Sequence, residues 1–246
     1  MEENNDNIVF GIRAIQEAIL AGQEVDKVIA KKGLAGELFA ELQQLCKQKH
    51  IRIQYTSPDV LDKITDGNHQ GVVAQMSKIQ RLGLDAVVRA VREDTKPALL
   101  LLLDGVTDVR NFGAIVRTAH CAGVQAIIVP AKGSAPINGE SIKTSAGALL
   151  HMPICTTGNT YTAVKMLQSN GVQIVCVTEH GADDYYDVDL TKPTLLIMGA
   201  EDKGISNQLL KLADAKAKIP MEGNIESLNV SVAAGILLFE AKRQRS

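Results

Sequence analysis

Hydrophobic positions in the first 76 residues alternate between helical and strand-like spacing. Apolar side chains at Ile12, Ile15, Ile19 and Leu20 recur every three or four residues, which predicts a helix that ends at Gly22. After it, the pattern predicts a strand at 25–30, a helix at 36–50, a strand at 51–56, a short helix at 58–64 and a strand at 71–76. The first segment is therefore predicted to be a compact αβαβαβ unit.

The C-terminal part repeats aliphatic strands and helices more strongly. Near-continuous apolar runs predict strands at 98–103, 126–129, 173–177, 194–198 and 217–219. Helical patterns lie between or after them at 113–122, 139–149, 161–169, 206–213 and 230–243. Such alternation indicates a parallel sheet with helices on both faces. The expected organisation is an N-terminal domain at 1–77, a linker with one helix at 78–96 and a second domain at 97–246.

Polar residues gather where the predicted strands end, which is where parallel α/β sheets bind ligands. Asp104 and Asp108 follow the first strand, and Asn111 stands at the predicted start of the next helix, where capping alone would explain it. Arg117 lies on that otherwise small and apolar helix. We expect this helix to pack closely, so that Arg117 needs a partner, and its planar fork suits a phosphate or a carboxylate.

Two further strand ends carry the same kind of signal. After the fourth strand, Gly199 and Gly204 enclose Ala-Glu-Asp-Lys. An ordinary loop with Ser206 capping the next helix would explain the glycines but not Glu201 beside the strand end. After the last strand, three polar residues surround the start of the final helix, although one suffices for a cap: Ser227, Asn229 and Ser231.

Charge and aromatic content exclude some modes of binding. With a net charge of −2, 3% aromatic residues and no Trp, the chain is neither a general polyanion binder nor a base-stacking platform. Two local basic clusters, 31–32 and 47–52, are candidates for a local polyanion-binding patch, although a solvated helix face or turn explains each at least as well. The sequence has no Walker A loop, G-x-G-x-x-G or G-x-S-x-G, and no Ser-His-Asp set can be identified from spacing.

The four cysteines are scattered, without metal-ligand spacing, and the five histidines form no metal-binding pattern. We expect reduced, mostly buried thiols and no metal. The longest apolar run, 98–103, is too short to span a membrane, and the first residues lack a signal-peptide pattern. A cytoplasmic location without membrane association is therefore expected.

The three strand-end clusters together resemble the motifs of the SpoU (TrmH-like) branch of the SPOUT superfamily, the S-adenosyl-L-methionine (AdoMet)-dependent RNA 2′-O-ribose methyltransferases. The matching stretches are DGVTDVRNFGAIVRTA, LIMGAEDKGIS and IPMEGNIESLNVSVAAGILLFE. GNHQGVVAQM, at 67–76, resembles the end of the N-terminal domain of the RlmB-like group. The chain departs from the family at one point, because Asp108 is followed by Val109 and Arg110 where the family usually has proline.

The resemblance implies a fold, a cofactor and a set of site residues. The fold would be an α/β parallel-sheet domain with a C-terminal trefoil knot, preceded by a small α/β substrate-binding domain. The cofactor-binding residues would be Met198, Gly199, Gly204, Ile219, Met221, Leu228 and Asn229. The catalytic residues would be Asn111, Arg117, Glu201, Ser227 and Asn229. Arg117 would activate the ribose hydroxyl or hold the adjacent phosphate, and the enzyme would act as a homodimer.

By resemblance, the substrate is a guanosine of large-subunit (23S) rRNA, read by the N-terminal domain. A tRNA 2′-O-ribose methyltransferase is one alternative. A non-catalytic RNA-binding ribosome-assembly factor is another, which AdoMet binding would separate from an enzyme. A generic nucleotide-binding sheet protein is disfavoured because both phosphate-loop signatures are absent.

Overall fold

The computed structural model divides the chain into two compact units, Met1–Lys78 and Ile79–Ser246. It describes residues 8–20, 25–76, 79–137, 139–223 and 227–246. Each unit has its own hydrophobic core. The second unit begins at Ile79, so it includes the helix at Leu84–Glu93 that was expected in a linker at 78–96.

The N-terminal unit contains four strands and three helices in its described residues. In chain order they are β1 (Ile8–Phe10), α1 (Ile12–Leu20), β2 (Val25–Lys31), α2 (Glu37–Gln48), β3 (Arg52–Thr56), α3 (Pro58–Ile64) and β4 (Val72–Met76). The strands form a sheet in the order β1-β4-β2-β3, in which only β2 and β3 pair in parallel. The three helices and three of the strands agree with the hydrophobic pattern.

Strand β1 was not predicted from the pattern. Three residues are too few to show alternation, and Gly11, with φ +88°, turns the chain directly into α1. The predicted end of α1 at Gly22 lies outside the described residues.

The C-terminal unit consists of strands that alternate with helices. Its strands are β5 (Arg81–Leu82), β6 (Leu99–Asp104), β7 (Ala126–Pro130), β8 (Ile154–Thr157), β9 (Gln173–Val177), β10 (Asp183–Asp184), β11 (Thr194–Gly199) and β12 (Ala215–Lys218). Its helices are α4 (Leu84–Glu93), α5 (Val109–Ala122), α6 (Gly139–Thr144), α7 (Thr160–Ser169), α8 (Asn207–Leu210) and α9 (Val230–Gln244), with a short 3₁₀ turn at Ala148–Leu150.

The eight strands found in the described residues of this unit are all parallel, in the order β10-β12-β9-β11-β6-β7-β8-β5. Helices α5 and α9 cover one face through Ile115 and Leu237, and α7 and α8 cover the other through Leu167 and Leu209. The prediction of a parallel sheet covered on both faces is confirmed. The knot implied by the resemblance stays a prediction.

Several elements differ from the pattern-based prediction. Strands β5, β8 and β10 were missed because two to four residues, partly polar, give no clear periodicity. The predicted helix at 206–213 contracts to α8, and that at 139–149 breaks into α6 and a 3₁₀ turn. Strand β12 starts two residues before the predicted 217.

All four cysteines are free, and three are buried. Burial raises the pKa of Cys46 to about 11 and that of Cys176 to about 12, so these thiols stay protonated at neutral pH. The prediction of mostly buried thiols is confirmed, with the exposed Cys121 as the exception.

Arg245 fixes the end of α9 to the sheet. Its guanidinium donates to the carbonyls of Leu190 (2.7 Å), Pro97 (2.7 Å), Ala98 (3.2 Å) and Lys192 (2.6 Å). Desolvation lowers its pKa, and no carboxylate of the described chain pairs with it. One half-buried cation therefore satisfies four backbone acceptors near the starts of β6 and β11.

We expect Arg245→Met to lower the free energy of unfolding by about 2–3 kcal/mol, because the carbonyls lose a charged donor. Urea denaturation of the full chain measures this change. Arg89→Met is the matched control, because Arg89 is exposed on α4 without a hydrogen bond or ion pair to the described residues. The control should change stability by less than about 0.5 kcal/mol. Equal loss in both variants would contradict a role for the Arg245 contacts.

Candidate active site

The carboxyl ends of β9, β11 and β6 lie side by side in the sheet. Strand β11 pairs with β9 on one side and with β6 on the other. From β6 the chain continues to β7 and β8 in one direction, whereas β9 and β12 lie in the other. This is a topological switch point, where open parallel sheets form a crevice.

The loop after β11 folds tightly back on itself. The N–H of Ala200 donates to the carbonyl of Gly204 (3.2 Å), and the N–H of Gly204 donates to the carbonyl of Ala200 (2.8 Å). Asp104, at the end of β6, accepts from the N–H of Ser206 at 2.9 Å. Ser206 stands at the start of α8, but its hydroxyl makes no capping bond and is buried without a partner.

Three loops meet at the carboxylate of Glu201. Its Oε1 accepts from the Nδ2 of Asn111 (3.1 Å) and the Nδ2 of Asn229 (2.7 Å). Asn229 also donates to the Oδ1 of Asn111 at 3.1 Å. The structure thus brings together one predicted catalytic residue from each of the three strand-end clusters.

Asp108, not Asn111, caps α5, so the capping interpretation of Asn111 is wrong. The Oδ1 of Asp108 accepts from the N–H groups of Asn111 and Arg110, each at 2.9 Å. These bonds, with that of Asn111 the larger contribution, lower the pKa of the Asp108 carboxyl. Helix α5 therefore begins at Val109 instead of the predicted 113. The Asn111 side chain, one turn in, is left to bind Glu201.

At α9, Asn229 serves as cap and cluster member at once. Its Oδ1 accepts from the N–H of Ser231 at 3.0 Å and from the Ser231 hydroxyl at 2.5 Å. Its Nδ2 meanwhile binds Glu201. Ser227 is exposed and makes no hydrogen bond with the described residues.

A cavity of about 390 Å³ opens beside this cluster. Six of the seven predicted cofactor-binding residues line it: Met198, Gly199, Gly204, Ile219, Met221 and Leu228. The seventh, Asn229, does not line the cavity, but it donates a hydrogen bond to Glu201, which does. Glu201 and Ser227 also line the cavity, whereas Asn111 does not.

The cavity has one wall that sequence reasoning missed. Val177, Thr178, Glu179 and His180 line it from the loop after β9. The strand-end rule that located the other loops applies equally to this one, since Gln173–Val177 was predicted as a strand. Residues 178–184 are Thr-Glu-His-Gly-Ala-Asp-Asp, so the polar signal at this strand end was present in the sequence.

Arg117 lies apart from the cavity. It is exposed and has no hydrogen bond or ion pair with any residue that the structure describes. It follows Asn111 by six helical positions, which rotates it about 240° and shifts it about 9 Å along the axis. Within one chain, the expectation that Arg117 is closely packed with a partner is therefore wrong, because α5 buries its other face through Ile115 and Val116.

The geometry can be set against known families. Residues 98–239 match the SpoU rRNA Methylase family. The chain belongs to the SpoU methylase family. Residues 8–82 match the family described as RNA 2′-O ribose methyltransferase substrate binding. The N-terminal unit of this SpoU methylase is thus its substrate-binding unit.

Similar proteins support the same conclusion. A Staphylococcus saprophyticus protein named for the TrmH family of tRNA/rRNA methyltransferases is 30% identical over 239 residues, which cover 97% of this chain and 96% of that protein. The AdoMet-bound rRNA methyltransferase of Sinorhizobium meliloti has 27% identity and a TM-score of 0.62, covering 96% of this chain and 87% of that one. The A. aeolicus TrmH/SpoU tRNA modifying enzyme has 36% identity and a TM-score of 0.56, covering 66% and 84%.

This SpoU methylase is therefore an RNA methyltransferase that uses AdoMet. The family, the fold class and the cofactor expected from the sequence are confirmed. In the described part of the chain, no helix is long and apolar enough to cross a membrane. The described residues also contain no cluster of metal-binding side chains.

We expect Gly199→Ala to weaken AdoMet binding about tenfold or more, because an added Cβ would collide with the backbone of Gly204 and Ile205. That backbone forms the cavity wall and cannot move without opening the loop. Isothermal titration with AdoMet measures the change. Gly158→Ala is the control, because its Cβ would meet no atom within 4 Å. Wild-type affinity in Gly199→Ala would show that the loop does not shape the cofactor site.

Proposed function

We propose that this SpoU methylase transfers a methyl group from AdoMet to the ribose 2′-hydroxyl of a nucleotide, a guanosine, in large-subunit (23S) rRNA. The observation that carries the proposal is the cavity at the switch point, closed on one side by the Asn111–Glu201–Asn229 cluster. It provides a cofactor pocket and, at its edge, polar groups that face a second substrate. A cytoplasmic location forms part of the proposal.

The cavity lining suits AdoMet. A volume of about 390 Å³ falls in the range of small-molecule sites. Met198, Ile219 and Leu228 offer an apolar slot for an adenine ring. Backbone groups after β11 would bind its edge and the ribose, with Gly199 and Gly204 allowing close approach. Carboxylates of Glu179 and Asp202 at the rim complement the positive charge of the sulfonium and the ammonium group.

Bound AdoMet supplies an electrophilic methyl group on its sulfonium. The protein's task is to hold the ribose hydroxyl in line with that methyl and to assist removal of its proton. Glu201, fixed by two amides, holds the loops that border the reacting centre. Ser227 and Asn229 complete the pocket wall. Arg117 positions the hydroxyl or the adjacent phosphate through its always-charged fork.

A homodimer would bring Arg117 to a site that its own chain does not let it reach. Helix α9 packs against α5, with Gly235 close to Thr118, the neighbour of Arg117. The same helix exposes Val232 (50%) and Phe239 (47%). Exposed apolar side chains on a helix that packs against the helix carrying an unpaired cation favour an interface there. We propose that Arg117 acts in the cavity of the partner subunit.

Arg117→Ala should reduce methyl transfer by about 100-fold or more while AdoMet affinity stays within about twofold of wild type. An experiment with mixed dimers of two variants decides whether Arg117 acts in the cavity of the partner subunit. An equal mixture of Arg117→Ala and Gly199→Ala protomers is unfolded, co-refolded and assayed at an AdoMet concentration below the wild-type Kd. It should show about a quarter of wild-type activity, because half the dimers are mixed and contain one intact composite site. Without action across subunits, it should show only about a twentieth, from the residual activity of Gly199→Ala. Activity at that lower level would contradict action across subunits, and full activity of Arg117→Ala would contradict any catalytic role.

The choice of rRNA rests on the N-terminal unit. The Sinorhizobium rRNA methyltransferase aligns with 96% of this chain and therefore with both units, whereas the A. aeolicus tRNA enzyme aligns with 66%. The stretch 67–76, which ends in β4, also carries the likeness to the RlmB-like group. A tRNA substrate is the second candidate, favoured by the 36% identity to that tRNA enzyme.

Transfer of radiolabelled methyl from AdoMet to purified rRNA and to purified tRNA separates the candidates. We expect labelling of 23S rRNA, with the label in a 2′-O-methylguanosine after nuclease digestion. Preferential labelling of tRNA would favour the second candidate. Absence of both AdoMet binding and labelling of either RNA would favour a non-catalytic RNA-binding ribosome-assembly factor.

A further inference from the structure

The sheet of the N-terminal unit has a second face that its helices cover only in part. Val28 and Ile53 point to the first face, into the core formed with α1 and α2. On the second face, Leu61 of α3 covers Ile29 and Val73. Helix α3 and strand β2 both have seven residues, but they extend about 10 Å and about 23 Å respectively. Among the described residues, the helix therefore leaves open the end of this face beyond Ile29 and Val73, with Ile8 of β1 at its border.

The strand register places two cations side by side at that open end. Lys27 of β2 pairs with Arg52 of β3, one position before the Val28–Ile53 pair. Because neighbouring residues on a strand alternate between faces, Lys27 and Arg52 point to the open face. Gln75 of β4 lies opposite Lys27 on its other side and is exposed. We call Gln75, Lys27 and Arg52 the open-face row.

No residue that the structure describes neutralises the positive charge of this row. Neither Lys27 nor Arg52 forms an ion pair or a hydrogen bond with the residues that the structure describes, including the neighbouring Asp26. Like charges directly opposite in a sheet are destabilising. Residues 42–58, which contain β3 and the turn before it, carry Lys47 and Lys49 but no carboxylate. In a protein with a net charge of −2, this local segregation indicates an anionic partner.

We propose that the open-face row binds the sugar-phosphate backbone of the RNA substrate. The proposal rests on the proposed function, in which the N-terminal unit reads RNA. Arg52 offers two parallel donors to a phosphate, Lys27 a point charge to a neighbouring phosphate, and Gln75 an amide that can pair with a ribose 2′-hydroxyl. The row presents no aromatic or large apolar side chain. Its chemistry fits a backbone contact that positions the substrate, without base readout.

The test compares full-length wild-type protein with the double variant Lys27→Gln, Arg52→Gln, using in vitro-transcribed 23S rRNA as the probe. Filter binding over a series of KCl concentrations should show about tenfold weaker binding near 0.1 M salt. The slope of log affinity against log salt should fall by about 1.4–1.8, the value for two lost phosphate contacts. The KM for rRNA should rise while kcat at saturating rRNA and AdoMet affinity stay unchanged. The melting temperature should be equal or higher, because a like-charge pair is removed.

Two control variants distinguish the effect of these positions on RNA binding from the effects of total charge and of side-chain shape. Arg13→Gln removes one exposed cation from α1, on the other face of the sheet, and should bind rRNA like wild type. Lys27→Arg combined with Arg52→Lys keeps both charges and should retain most of the affinity. Unchanged affinity and salt slope in the double variant would overturn the proposal. The proposal would also be overturned if Arg13→Gln lost as much rRNA affinity as the single variants Lys27→Gln and Arg52→Gln.

The two proposals fail differently. If wild-type protein binds 23S rRNA but methylates only tRNA, the proposed function fails, and the same variants measured on tRNA still test the row. If wild-type protein methylates 23S rRNA and the double variant does so with unchanged KM, the row alone is refuted.

Discussion

The site depends on one carboxylate oxygen. The Oε1 of Glu201 accepts from Asn111 and Asn229, so residues more than 100 positions apart in sequence are held at one point. A hydrogen bond to a charged acceptor contributes about 1.5–3 kcal/mol, and less where solvent screens it. That is small compared with burial in the sheet core, but it acts where no apolar packing is available. The core fixes the strands, and Glu201 fixes the loops that extend beyond them.

The sheet was predictable from sequence because its strands are buried on both faces. Runs such as the one at 98–103 are aliphatic throughout, and they reappear as β6 with every residue from Leu99 to Leu103 buried. The edge strands β5 and β10 have two residues each and bury little, so hydrophobicity carries no signal there. Strand order was beyond sequence reasoning, because pairing depends on contacts between distant residues and not on local periodicity.

For the site, the rule that polar residues gather at strand ends located the residues that meet around Glu201. The family resemblance, not this rule, supplied Met198, Ile219, Met221 and Leu228 of the cavity lining. The rule could not assign orientation. Asn111 was interpreted first as a cap because the start of α5 was placed four residues late, and Asp108 takes that role. Arg117 was expected to be packed because its helix is apolar, but a helix with one buried face presents its remaining side to solvent. The residue at which α5 begins decides the role of Asn111, and the face that α5 buries decides that of Arg117.

The cations of this chain fall into two groups according to whether the protein itself satisfies them. Arg245 is half-buried, has four carbonyl acceptors and needs no ligand, so its role is structural. The described residues offer no hydrogen-bond or ion-pair partner to Arg117, Lys27 or Arg52. Arg110 has only an exposed ion pair with Asp108, at 3.6 Å. A chain with a net charge of −2 gains no general affinity for RNA from these few groups. In the two proposals, their value lies in position: unneutralised charge at fixed points attracts a polyanion there, and a contact with its backbone positions the RNA as well as binding it.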